Sequence, residues 1–272
     1  MTDVDAAKLP VMLTTLRLPT IGRIWQEVGA RADREGWGSA RFLAALCEHE
    51  LADRATRRIA RHMAESGLPH GKTFATFDFA AVPTIRKAHV MALAAGDAWL
   101  EGGGNLLIFG ASGTGKTHLA AAIGTALVDN GRRVLFSRTT DLALPATLAK
   151  LDRYEVLVLD DLGYVRKDQA ETTVLFELIA ERYERSSLIT TCNQPFSEWN
   201  RIFPEPVMTV AAIDRLVHHA TILELNTESY RRRSALARGA TLAATRAPAE
   251  PAPPEFRHVT ENNHATRPQA HG

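Results

Sequence analysis

The stretch Asn105-Leu-Leu-Ile-Phe-Gly110-Ala-Ser-Gly-Thr-Gly-Lys116-Thr117-His118, continued by an alanine-rich run to Asp129, decides the fold. Asn105 to Phe109 is a short apolar run that stops at Gly110, and Thr117 to Asp129 has helical composition. The order is therefore strand, glycine-rich loop, helix. Gly110 to Thr117 satisfies GxxxxGK[ST] at every fixed position. Glycines at 110, 113 and 115 let the backbone turn sharply enough for successive N–H groups to face one point, and the positive end of the following helix adds to that field. Such a concavity fits a β-phosphate. Gly110, Ala111, Ser112, Gly113, Thr114, Gly115, Lys116, Thr117 and His118 are therefore the candidate nucleotide contacts. Lys116 would set an ammonium on the β- and γ-phosphates of ATP, and the Thr117 hydroxyl would ligand Mg2+.

Outward from the loop, apolar runs recur at Arg133–Ser137, Val156–Leu159, Ser187–Thr191 and Ala220–Leu225. Helical patterns separate them at Ala170–Arg185 and Met208–His218, with a weaker one at Thr140–Leu151. Apolar strands alternating with helices predict an α/β fold with a five-stranded parallel sheet between helices. The third run ends in Asp160-Asp161, where a phosphate loop needs a carboxylate for its metal shell. Successive side chains near a strand end alternate, so Asp160 should face the magnesium through water and Asp161 should act as general base on the attacking water. An aspartate reaches less far than a glutamate, which favours slow turnover. Asn193, just past the fourth run, can orient water against the γ-phosphate; the rival reading is a turn former before Pro195. Cys192 reads as a small buried residue without a chemical role.

Before the loop, Leu9 to Gly67 reads as two or three helices, with apolar residues at three- and four-residue spacing from Arg41 to Met63. Gly71–Pro83 looks extended, and a further helix runs from Thr84 to Leu100. Beyond Gly239 an Ala/Pro-rich composition predicts a disordered tail. The expected division is a helical domain over 1–73, a nucleotide-binding domain over 74–238 and a tail over 239–272. The whole chain is 272 residues, 45% hydrophobic and 23% charged, with a net charge of +1. No apolar run of bilayer length and no signal-peptide pattern occurs, so a cytoplasmic protein without membrane contact is expected. Two distant cysteines, Cys47 and Cys192, without metal-ligand spacing argue against a disulfide framework and structural zinc.

Taken together these elements resemble the IstB-like ATP-binding proteins, transposition helper ATPases of insertion sequences related to the DnaC helicase loader within the AAA+ class. The resemblance is carried by Gly110–Thr117, Asp152–Tyr164, Arg182–Arg185, Asn193–Trp199, Ile213–Ala220 and Ser229–Arg231. Leu16–Pro19 and Phe77–Phe79 of the small helical domain add to it. It implies an ATP-hydrolysing homo-oligomer on double-stranded DNA that assists a transposase in target selection; the alternative is a DnaC-like replicative helicase loader. It also implies an arginine finger at Arg215, contacting the γ-phosphate of a neighbouring subunit, against an intrachain ion pair with Glu205 or Glu224. Arg231 resembles a terminal phosphate-sensing arginine, against a solvated basic end continued by Arg232 and Arg233. The segment from Phe136 to Tyr154 is shorter than in that family and is interrupted by Pro145, which weakens the expectation of DNA engagement there.

Arg54, Arg57, Arg58 and Arg61 fall at i, i+3, i+4 and i+7 and share one helix face, a stripe spaced to track a phosphate backbone. The competing reading is a solvated face balanced by Glu48, Glu50 and Asp53. No base-reading motif accompanies the stripe, so any DNA binding should have little sequence preference.

Overall fold

The computed structural model describes residues 3–96, 98–139, 148–163, 169–203, 205–227 and 229. Most of the weak Thr140–Leu151 helix, Arg231 and the tail from residue 239 lie outside the described residues. The elements that follow belong to one compact unit, Met1–Arg233.

Three helices open the chain: α1 (Asp3–Thr15), α2 (Pro19–Glu35) and α3 (Ser39–Glu65). Leu13, Ile21 and Leu46 are buried at their junction, with Trp25, Val28 and Phe42 packed around them. Proline at the first position of α2 suits a helix start, since its missing N–H would have had no intrahelical acceptor. The next two amides are capped from another helix. Glu50 of α3, buried, accepts from the Thr20 N–H at 2.9 Å and the Ile21 N–H at 3.1 Å.

Residues 71–83 are turns with one 3-10 turn at Phe79–Ala81, not the extended segment expected from sequence. The single helix expected over Thr84–Leu100 is two, α4 (Lys87–Ala95) and α5 (Ala98–Glu101). Gly96, at φ +79, ends α4 in the left-handed conformation that glycine adopts without steric cost.

Five strands follow in the expected places: β1 (Asn105–Gly110), β2 (Val134–Arg138), β3 (Val156–Leu162), β4 (Ser187–Cys192) and β5 (Ala220–Leu225). Between them lie α6 (Lys116–Asp129), α7 (Leu148–Leu151), α8 (Gln169–Arg182) and α9 (Pro206–Val217). The sheet is parallel throughout, in the order β2-β3-β4-β1-β5. β4 thus separates the phosphate-loop strand from the acidic strand, giving an α/β P-loop fold preceded by a helical region. One face is covered by α6, whose Leu119, Ala120, Ile123 and Leu127 are fully buried; the other carries Leu157, Leu188, Trp199 and Leu216.

Helix α3 is tied to this sheet at its C-terminal end. The Phe136 N–H on β2 donates to the Ser66 carbonyl at 2.7 Å, and Ile59 and Met63 pack on the α6-side core. At the lower edge, Arg182 donates to the carbonyls of Leu151, Tyr154, Glu155 and Ser187. Burial lowers its pKa to about 10, leaving the guanidinium charged at neutral pH.

Candidate nucleotide site

Gly110 ends β1 where the chain must turn with no room for a side chain. A Cβ there would lie 2.8 Å from the Leu225 carbonyl oxygen and 2.9 Å from Thr114 Oγ1. The loop closes on itself through Thr114, whose hydroxyl donates to the Ala111 carbonyl at 2.9 Å. Lys116, buried at the first turn of α6, donates from Nζ to the carbonyls of Gly110 (2.8 Å) and Ala111 (3.0 Å). The ammonium is therefore held against the loop, where the N–H groups and the helix dipole favour an anion.

Ser112 to His118 line a cleft of about 310 Å3, and Asp161 and Asn193 reach the same cleft from the ends of β3 and β4. Its other wall is the 72–82 segment, with Lys72, Thr76, Phe77, Asp78, Ala81 and Val82. Gly115, at φ +101, brings the loop under Phe77, so that a Cβ would stand 3.3 Å from the ring. His118 clasps the same wall. Its Nε2 lies 3.1 Å from the Thr73 carbonyl and 3.1 Å from Thr76 Oγ1, and its ring meets Phe77 edge-on at 5.3 Å between centroids. Burial lowers the His118 pKa, the Thr73 carbonyl opposes the shift and Lys72 adds to it, so the neutral imidazole is favoured.

The acidic pair is split by a break in the ladder. Register between β3 and β4 shifts between Leu159 and Leu162, and Asp161 takes φ +58 within the shift. Asp161 lines the cleft, whereas Asp160 is buried behind it and accepts from Thr191 Oγ1 at 2.7 Å. Hydroxyl and carboxylate oxygens, here Thr117 and Asp160, are the donors that hard divalent cations prefer.

The structure does not bring every candidate to the cleft. Arg215 lies on α9 with its guanidinium 5.2 Å from the Phe176 ring centroid, and among the described residues no carboxylate is paired with it. Arg231 falls outside the described residues. Of the α3 arginines, Arg54 pairs with Glu50 at 2.9 Å and Arg57 with Asp53 at 3.2 Å. Arg58 and Arg61 are exposed. The 72–82 wall was not anticipated from sequence; its phenylalanines were visible there, but nothing local shows that they fold back over α6.

The model of the IstB-like ATP binding protein family matches residues 11–237. The chain belongs to that family. It is 62% identical over 244 residues to an insertion sequence ATP-binding protein of Sinorhizobium fredii, covering 86% of this chain and 82% of the relative. It is 34% identical to the ATP-binding protein of insertion sequence IS21 from Pseudomonas aeruginosa, covering 82% of this chain and 88% of that one. Among solved structures, the DnaC helicase loader superposes with a TM-score of 0.43 at 23% identity, over 61% of this chain and 99% of that one. The family and these relatives are described as ATP-binding proteins. Among the described residues no helix is long and apolar enough to cross a membrane.

Proposed function

We propose that this chain binds ATP with Mg2+, hydrolyses it slowly, and assembles as a homo-oligomer on double-stranded DNA to assist a transposase in choosing its target. The observation that carries the reading is the meeting of Lys116, Thr117, Asp161 and Asn193 in one cleft, in a chain whose family consists of insertion-sequence ATP-binding proteins. Lys116 and the loop amides bind the phosphates. Thr117 and Asp160 hold Mg2+, which when bound neutralises charge on the β- and γ-phosphates. Asn193 orients a water, and Asp161 takes its proton as the new P–O bond forms and the β–γ bridging bond breaks, releasing ADP. The placement of Arg215 away from its own chain's cleft supports a finger supplied to the adjacent subunit, which would make turnover depend on assembly.

The test is Lys116→Ala in nucleotide binding and in DNA-stimulated phosphate release, with target-site distribution measured in a strand-transfer reaction containing the partner transposase. Loss of ATP binding in a chain that still melts cooperatively is expected; the two bonds from Nζ to the Gly110 and Ala111 carbonyls go with the ammonium, so a small drop in melting temperature accompanies it. Near-wild-type affinity overturns the site. Wild-type protein that leaves transposase targeting unchanged but engages a replicative helicase overturns the transposition role in favour of a loader.

A further inference from the structure

Thr191 lies on β4 two residues before Asn193, is fully buried, and pairs in register with Ile108 of β1. Its side chain bonds to both acidic residues at the end of β3. Oγ1 donates to Asp160 Oδ1 at 2.7 Å and accepts from the Asp161 N–H at 2.9 Å. A hydroxyl has one proton and two lone pairs. Because the Asp161 N–H can only donate, the hydroxyl proton is committed to Asp160, and the direction of both bonds is fixed.

The geometry has a cause in the sheet. Where the β3–β4 register slips, the left-handed turn at Asp161 takes its N–H out of the regular ladder. A buried amide without a partner is costly, and Thr191 supplies the acceptor that the slipped ladder does not. The same atom then holds the Asp160 carboxylate. Alternation along an unbroken strand would leave the two acids on opposite faces with no common reference. Here one hydroxyl fixes one acid by its carboxylate and the other by its backbone, from the strand that carries Asn193.

We propose that Thr191 is a positioning residue that sets the Asp160 carboxylate for Mg2+ and holds Asp161 at the cleft, so that metal binding and water activation depend on one buried hydroxyl. The inference rests on the ATPase reading above, and it concerns how this chain presents its carboxylates to the cation. Thr191→Val keeps the shape and removes both bonds; Thr191→Ser keeps the hydroxyl.

The experiment titrates Mg2+ against binding of a fluorescent, non-hydrolysable ATP analogue to the full chain, alongside ATP turnover and thermal melting. For Thr191→Val, analogue binding without Mg2+ should stay within about twofold, while the half-saturating Mg2+ concentration rises about tenfold, the scale of one lost hydrogen bond to a charged group. Thr191→Ser should restore it to within about threefold of wild type. In an Asp160→Asn background, Thr191→Val should shift the Mg2+ midpoint no further, because the effect passes through Asp160. If Thr191→Val does not fold, Thr191→Ala replaces it in the same measurements. A folded variant with a wild-type Mg2+ midpoint, or one that only melts earlier, overturns the proposal. Wild-type chain that binds the analogue but never turns ATP over sinks the hydrolysis reading and leaves the Mg2+ comparison to decide Thr191.

Discussion

Glu50→Ala tests whether α2 is capped from α3. The α2 N-cap residue, Leu18, makes no side-chain cap, and the Thr20 and Ile21 amides that follow Pro19 both donate to Glu50 Oε2. Oε1 accepts from Arg54 Nε at 2.9 Å, but that guanidinium is 48% exposed, so solvent discounts the pair. Two buried bonds to a charged carboxylate at about 1.5 kcal/mol each, plus roughly 1 kcal/mol for the buried stem, give a loss of about 4 kcal/mol. In a unit of this size that corresponds to roughly 8–16 °C in melting temperature. Burial raises the Glu50 carboxyl pKa, but the Ile21 N–H, the Arg54 guanidinium and the Thr20 N–H outweigh it and the net shift is downward. A carboxyl with a lowered folded-state pKa contributes stability above its unfolded pKa, near 4.3 for glutamate, and loses it as pH falls through the folded value. The gap between wild type and Glu50→Ala should therefore be constant from about pH 6 to 8 and narrow below about pH 4. Circular-dichroism melts measure the gap, and hydrogen exchange at Thr20 and Ile21 localises it. A loss under about 0.5 kcal/mol at neutral pH, or a gap that widens in acid, refutes the cap.

Arg215→Ala is expected to bind ATP normally yet hydrolyse it at least about 10³-fold more slowly; mixing it with a Lys116→Ala chain should restore partial turnover on DNA, since one subunit keeps the loop and the other the arginine. Co-assembled mixtures with no turnover would return Arg215 to its packing against Phe176. Because Arg54 and Arg57 are already engaged by Glu50 and Asp53, the DNA contacts proposed for α3 fall on Arg58 and Arg61. Converting those two to Gln should flatten the salt dependence of duplex binding by up to about two units, equally on unrelated sequences, and an unchanged slope removes DNA from this face.

What the sequence reveals here is whatever is encoded in adjacent residues. The phosphate loop is legible because the turn, the amides and the lysine all come from eight consecutive positions, Gly110 to Thr117, bounded by a strand and a helix. The strands are legible as short apolar runs because the central three, β1, β3 and β4, are buried on both faces, while the edge strands β2 and β5 keep the apolar run with one side partly exposed. The acids Asp160 and Asp161 are visible as a pair, but what separates them is a register slip with a left-handed Asp161, not simple alternation, and that slip depends on β4, some thirty residues on. Glu50 shows the same boundary from the other side. Counted along α3 it belongs to a charged face that balances the arginines, and only α2, folded back with two unpaired amides, turns it into a buried cap. Phe77 is likewise an aromatic among polar residues until Gly115 comes beneath it. In each case the residue's role is set by a backbone group that its own segment leaves unsatisfied or uncovered elsewhere in the chain. Such debts are created by local conformation, the N-terminus of α2 or the kink at Asp161, so their existence can be inferred from sequence. Which side chain answers them is fixed only when the elements pack, and so the binding loop can be read directly while the residues that steady it cannot.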